Sequence, residues 1–419
     1  MVIFSVIAAL FAAITWWRPI VGVVLALYAD SVASVILGSF LQMNIEAQKD
    51  SHFTLLISFP VLLTLCLKTI QMYALNRRRP IIGPLNTIDI GLLGLGFVTI
   101  LGCLYTPQLH YGLEIAARFW VFALSYYFFA RVSVACPTQV PECQNDFMTW
   151  VWIIALIACI AALIEPGSRT DLLRMTLTNV NPINFSMLAG AGLLVTIYCI
   201  IEQTSQAWWR KWIYICGGPV FLYCVVSATE RGPIISLVCA TLLLMGSLLV
   251  IAKRTRAFVT TILLIAVVAT TVALLQQYYP ETFGAFMGRF DARDSTVGHR
   301  LLLYAQAFDL FSQSPFLGAG TAYMEMVNGK GFYAHNMVLE VASEHGVLGL
   351  IMVVFLFGGV IHLTTLSVKL KSSAGCFFAA FLIHTLVEGE FSGHFTAWKA
   401  AYFGAGMVSL CVARAMYGE

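Results

Sequence analysis

Charge is the scarcest resource in this sequence. Only 11% of its 419 residues are Asp, Glu, Lys or Arg, against 59% that are hydrophobic, whereas a soluble domain carries about a quarter of its residues charged. With 13% aromatics and a mean hydropathy of +0.84, the chain has more apolar surface than an aqueous core could hide, which excludes a soluble globular protein. The formal net charge of +3 is small, and the basic residues form short scattered clusters rather than one stripe. A nucleic-acid partner is therefore not expected. The eleven cysteines include no C-x-x-C pair, and Cys66, Cys159, Cys199, Cys239 and Cys376 sit inside apolar runs. A thiol in such a place behaves as a small hydrophobe, so neither disulfides nor structural zinc are expected. Met1 to Trp17 has the length of a secretory leader but no basic residue before its apolar run and no small-x-small site before Arg18-Pro19; it reads as a retained helix.

What the chain does have is apolar runs long enough to cross a hydrocarbon core, about 20 residues each as helix. They fall near residues 2–17, 19–40, 54–75, 88–106, 112–133, 147–164, 183–201, 212–228, 233–252, 258–276, 336–361, 374–386 and 396–414. The reading is an all-α polytopic membrane protein of about twelve or thirteen spans. There is no internal repeat, low-complexity tract or soluble insert, so residues 1–419 are expected to form a single transmembrane domain.

Basic loops stay cytoplasmic, and "NRRRP" (Asn76 to Pro80), "WWRKW" (Trp208 to Trp212), "AKRTR" (Ala252 to Arg256) and "KLK" (Lys369 to Lys371) all fall on alternate connections. The opposite face, which is the periplasm if the cell is a Gram-negative bacterium, then receives the long segment 277–335 and the tight turn at 229–232. That face also receives Arg231, Arg289, Arg293 and Arg300, against the usual depletion of basic residues there, and arginines so placed ask for an anionic partner. Pairing with Glu230, Asp291 and Asp294 or with lipid headgroups is the simpler alternative. Within the loop, residues about 297–312 have the pattern of an amphipathic helix lying in the membrane interface, with Ser295 or Thr296 as N-cap and Pro315, Gly318 and Gly320 beyond its end. Arg300, Tyr304, Ala307 and Phe311 share one face, which would hold Arg300 near the depth of a lipid-linked phosphate.

His335 and Asn336 stand where this segment enters the span at 336–361. A histidine at the water boundary of a membrane can take up a proton near neutral pH; an interfacial histidine turned to water is the plain alternative. The spacing His335-Asn336, nine residues, Gly346-x-x-Gly349 resembles the signature of the O-antigen ligase and O-antigen polymerase family. The likeness extends to Arg231-Gly232 after its short turn, to Arg300, to Pro315-x-x-Gly318-x-Gly320, and to "NPINFSMLAG" from Asn181 to Gly190. Leu350 after Gly349 departs from the more restricted ending of some ligases.

That resemblance implies a membrane glycosyltransferase of the GT-C type, metal-independent and without a cofactor, that transfers a glycan with inversion from undecaprenyl diphosphate to lipid A-core in lipopolysaccharide biosynthesis, or to another glycan if it is a polymerase. In that reading His335 is the catalytic base; Arg231, Arg300 and Arg289 hold the donor diphosphate; Asn336 and Tyr304 support them. Membrane lipids are the remaining partners. The chemistry is consistent on its own terms, since a glycosyl diphosphate already carries a good leaving group and needs only phosphate clamps and a proton acceptor. No D-x-D pair stands on the outer loops. A transporter of lipid-linked sugars is the competing class, but its functional charges would lie near the midplane of two related halves. The remaining outward charges read as structural: Glu114 with Arg118 as an i, i+4 ion pair, Glu340 and Glu344 as hydrogen-bonding groups, His345 as a packing residue. Glu388, Glu390 and His394 in "EGEFSGHF" lie on the same outer face and could contact the acceptor, though their spacing carries no specific meaning.

Overall fold

A computed structural model describes residues 2–36, 53–75, 85–132, 134, 140–164, 175–177, 180–202, 208–251, 276–278, 280–288, 295–329, 333–392 and 398–417, with scattered positions between 258 and 274. The protein is all-α. In chain order the helices are α1 (Val2–Trp17), α2 (Pro19–Leu27), α3 (Ala29–Ser34), α4 (Phe53–Thr69), α5 (Thr87–Cys103), α6 (Leu109–Arg118), α7 (Ser125–Arg131), α8 (Val140–Ile164) and α9 (Pro182–Glu202). They continue with α10 (Trp208–Ser227), α11 (Arg231–Val250), α12 (Pro280–Gly288), α13 (Ser295–Gln313), α14 (Tyr323–Asn328), α15 (Met337–Lys369), α16 (Ser373–Ser392) and α17 (Lys399–Tyr417). Among the described residues seven helices are long and apolar enough to cross a membrane, and three shorter apolar ones accompany them. The protein is a multi-pass membrane protein.

Helix starts follow from local chemistry. Pro19, Pro182 and Pro280 each open a helix, where a missing N–H costs nothing. The Asn181 side chain accepts from Ile183 N at 2.9 Å. Asn86 and Asp89 form a reciprocal capping box on α5. Several expected spans differ from simple rods. The run at 19–40 is divided at Tyr28 into α2 and α3, with residues 37–40 outside the described part. The run at 112–133 is α6 and α7 joined through widened turns over 119–124, where the Trp120 indole donates to Gly96 O at 3.0 Å.

The chain forms two compact units, residues 1–81 with 132–290, and residues 82–131 with 291–419. In the first, α9 packs against α8, α10 and α11. Trp152 meets Tyr214 and Phe221 edge to face, with ring centroids 5.3 and 5.8 Å apart, and its indole donates to Thr196 Oγ1 at 3.1 Å. In the second, α15 packs along α5, and α17 lies against α16 and α7. Asp89 and Arg131, both almost fully buried, pair at 3.2 Å, and the Tyr127 hydroxyl donates to the same carboxylate. A buried charge without such partners would be costly.

The second unit is organised around a break. α15 departs from helical geometry at Gly346 (φ +62°, ψ −155°), and the loop after α13 is laid into the gap. Val347 N and Leu348 N donate to Pro315 O and Phe316 O at 2.8 and 3.4 Å, while Ala319 N and Gly320 N donate to Ser343 O and Glu344 O at 2.8 and 3.0 Å. Thr321 continues the attachment, its hydroxyl donating to Thr99 O at 2.7 Å, and the Thr106 hydroxyl donates to Thr321 O at 2.9 Å. Two glycines make the approach possible. Gly318 has φ +73°, and a Cβ there would lie 2.2 Å from the Glu344 carbonyl carbon; a Cβ at Gly346 would lie 2.5 Å from the Phe316 backbone.

Upstream of the loop, α13 covers the residues 297–312 expected to form an amphipathic helix. Leu303 and Ala307 are buried with Met324 and Ala334, while Leu301, Leu302 and Phe308 are exposed. An apolar face on a helix whose other face is packed on protein suits the membrane interface.

Gly318→Ala should lower the thermal midpoint in detergent well beyond the ~1–2 kcal/mol that a left-handed non-glycine backbone costs, because its Cβ also meets backbone. Gly358→Ala, with nothing within 4 Å of the added carbon, should be neutral or raise the midpoint slightly. Equal melting of the two variants would show that the loop does not depend on that approach.

Candidate active site

The site is built at the mouth of α15. His335 has φ +50°, a left-handed conformation uncommon for a residue with a Cβ, and such outliers concentrate at functional sites. Its ring lies against Tyr333, centroids 4.3 Å apart and tilted by 43°. The following residues are fixed by capping. The Glu390 carboxylate accepts from Met337 N and Val338 N. Asn336 Oδ1 accepts from Leu339 N at 2.9 Å, and Asn336 O from Glu340 N at 2.9 Å. Every amide of the first turn thus has a partner, which a helix start in a membrane protein requires. Asn336 Nδ2 also reaches the Glu390 carbonyl at 3.5 Å, joining the starts and ends of α15 and α16 at one place.

Arg300 and Tyr304, one turn apart on α13, are both half-buried. Burial pushes the Tyr304 hydroxyl above its ordinary value; the Arg300 guanidinium opposes this and the Glu390 carboxylate adds to it. Tyr304 therefore lies within the electrostatic reach of both groups. The second unit accordingly brings together Arg300, Tyr304, His335, Asn336 and Glu390: a cation, a phenol, an imidazole, an amide and a carboxylate beside a strained turn. Such a set can hold an anionic group, accept a proton and hydrogen-bond hydroxyls.

Arg231 belongs to the first unit. It is the first residue of α11, half-buried, after a turn in which Thr229 has φ +55°. Arg289 and Arg293 lie outside the described residues, as do Asp291, Asp294 and His394.

The charges expected to be structural occupy structural positions. Glu114 and Arg118 form their i, i+4 ion pair. Glu344 is fully buried, and its carboxylate accepts from Ala322 N at 2.8 Å and from Met324 N. It thereby caps α14 from another element. Tyr111 donates to Glu325 Oε2 at 2.7 Å beside it. His345 is fully buried, close to Gly102. What sequence reasoning missed is the cap that Glu390 places on the start of α15. Glu390 lies 54 positions from Asn336, and no local pattern in "EGEFSGHF" announces that one of its carboxylates caps another helix.

Residues 219–354 match the model of a family described as O-antigen ligase. The matched segment contains Arg231 and Arg300, and with them Pro315, Gly318, Gly320, His335, Asn336, Gly346 and Gly349, which shape the broken helix and its mouth. No curated protein matches the chain. A half-buried arginine and a strained histidine at the end of a loop-braced membrane helix are the features this segment supplies, and it is over residues 219–354 that the chain is similar to the family described as O-antigen ligase.

Proposed function

We propose that the protein is a membrane glycosyltransferase that moves a glycan from undecaprenyl diphosphate onto lipid A-core oligosaccharide, at the periplasmic face of a bacterial inner membrane. The observation that carries this reading is the placement of His335, in its left-handed turn, on the same unit as the Arg300 and Tyr304 face of α13. The orientation rests on the basic connections, which include Lys369 and Lys371 at the opposite end of α15.

In this reaction the acceptor hydroxyl attacks the anomeric carbon of the donor, and its proton passes to His335. The bond from that carbon to the diphosphate oxygen breaks as the new glycosidic bond forms, in one displacement with inversion. Undecaprenyl diphosphate leaves with the bond's electron pair. Charge grows on the leaving diphosphate, so groups that hold it more tightly in the transition state than in the ground state accelerate the step. A guanidinium suits this task, being planar, permanently charged and able to bind two phosphate oxygens at once. Arg300 is assigned to it, with Arg231 and Arg289 from the preceding part of the chain. Asn336 and Tyr304 support His335 and Arg300.

The exposed Leu301, Leu302 and Phe308 of α13 would rest in the interface and keep Arg300 at headgroup depth. A polymerase would use the same chemistry with a second lipid-linked glycan as acceptor. Purified protein supplied with lipid-linked glycan and each acceptor in turn distinguishes the two by product. Absence of turnover with both, without any energy source, would favour transport instead.

His335→Ala should fold normally and lose transfer by about 10²- to 10⁴-fold, the usual contribution of general-base catalysis, whereas His345→Ala should lose stability but keep most of its turnover per folded molecule. Near-normal transfer by His335→Ala, or a dead His345→Ala that is fully folded, would refute the assignment of the base.

Arg300→Lys, which keeps the charge but not the planar fork, should be impaired, and Arg300→Ala more so. Matched normal rates in both would remove Arg300 from the site. Arg231→Ala should weaken binding of undecaprenyl diphosphate, measured directly on the purified protein; an unchanged affinity would make Arg231 structural.

A further inference from the structure

Glu390 has one carboxylate oxygen to spare. The side chain accepts the amides of Met337 and Val338, yet its Oε1 is buried and has no hydrogen-bond partner among the described residues. Burying a carboxylate oxygen without a donor is unfavourable, and a native site that does so commonly completes the bond with something it binds. The surroundings narrow what that is. Asn336 Nδ2 lies 3.5 Å from the Glu390 backbone carbonyl, and the carboxylate itself meets the amides two and three residues along from His335, those of Met337 and Val338. Tyr304 feels Glu390 and Arg300 together.

Burial pushes the Glu390 carboxyl up to about 7 while the two backbone amides oppose this; in its ionised form the carboxylate only accepts hydrogen bonds, and the group that completes it is then a donor. A diphosphate is excluded, because it is itself an anion that only accepts and would be repelled. The hydroxyls of a sugar meet the requirement, and those nearest His335 are on the acceptor, since His335 takes the acceptor's proton.

We propose that Glu390 is an acceptor-binding residue: one oxygen caps α15 and so fixes the His335 turn, while the other receives a hydroxyl of the incoming acceptor sugar. This rests on the transferase reading above.

The test is Glu390→Gln in the full-length protein, because a glutamine carbonyl can still cap α15 while its amide presents a donor where an acceptor is needed. Transfer from undecaprenyl-diphosphate-linked glycan is measured with lipid A-core and, separately, a second lipid-linked unit as acceptor. Alongside it are recorded the thermal midpoint and the binding of undecaprenyl diphosphate. The expected result is an unchanged midpoint, unchanged diphosphate binding and an acceptor kcat/KM lowered roughly 10- to 100-fold, the worth of a hydrogen bond to a charged group. Wild-type kinetics in Glu390→Gln, with only Glu390→Ala impaired and less stable, would make Glu390 a cap and nothing more. Diphosphate binding weakened as much as acceptor use would overturn the acceptor assignment. If Glu390→Gln does not fold, wild-type protein is assayed with acceptors deoxygenated at one non-reacting hydroxyl at a time. One position should then lose rate by a similar factor, and uniform rates would overturn the proposal. A wild-type protein that transfers to neither acceptor would refute the transferase reading, and this inference with it; an active wild type with an unaffected Glu390→Gln would refute the inference alone.

Discussion

A helix interrupted within a membrane frees amides and carbonyls that lipid cannot satisfy, and at Gly346 the protein satisfies them with a second piece of its own backbone. Pro315 O and Phe316 O take the amides of Val347 and Leu348, and the amides of Ala319 and Gly320 take the carbonyls of Ser343 and Glu344. Four hydrogen bonds between two non-helical segments make each segment the condition for the other. The glycines follow from this. Backbone can approach backbone that closely only where Cβ is missing and the chain can turn left-handed, as it does at Gly318, Gly320 and Gly346.

The same brace determines where the proposed chemistry sits. Because the loop after α13 is anchored in α15 and, through Thr321 and Thr106, in the end of α5, α13 is tied to the helix whose mouth carries His335. Arg300 and Tyr304 are thereby held beside that mouth. The mouth has its own reinforcement: Asn336 and Glu390 together supply acceptors for the first three amides of α15. A histidine at φ +50° is strained by about 1–3 kcal/mol, and it persists because the residues on its C-terminal side are so fully engaged. The function proposed for His335 and the stability of the helix start are thus properties of one arrangement.

Buried charge is used sparingly, and at Asp89 and Glu344 its partners are of a definite kind. Asp89 is shared by Arg131, Tyr127 and the capping box of α5; Glu344 caps α14. In a chain with so few charged residues, these groups tie together helices that apolar packing alone would leave free to slide, since lipid is as good a partner for leucine as another helix is.

The architecture was legible in the sequence because a membrane imposes a length and a polarity on each crossing, and both are local. Where the expected spans fall on described residues they lie over helices, α13 lies where its amphipathic pattern put it, and the ion pair of Glu114 with Arg118 follows from spacing alone. The motif around His335 was equally visible, as were the prolines and asparagines that start helices. What the motif's glycines are for was not: their spacing suggests close packing, but only the fold pairs the break at Gly346 with the turn at Gly318. The widened turns at 119–124 and the division of the 19–40 run at Tyr28 also escaped, since both depend on what packs alongside. Glu390 is the clearest case. Its role comes from the return of α16 to the start of α15, a meeting of residues 54 positions apart that no local period encodes. The sequence by itself determined which segments enter the membrane and which residues could carry the chemistry, because hydrophobic length and side-chain type are properties of short stretches. Only the tertiary structure decided which of those residues meet, because a hydrogen bond between distant parts of the chain exists only once every helix between them has been placed.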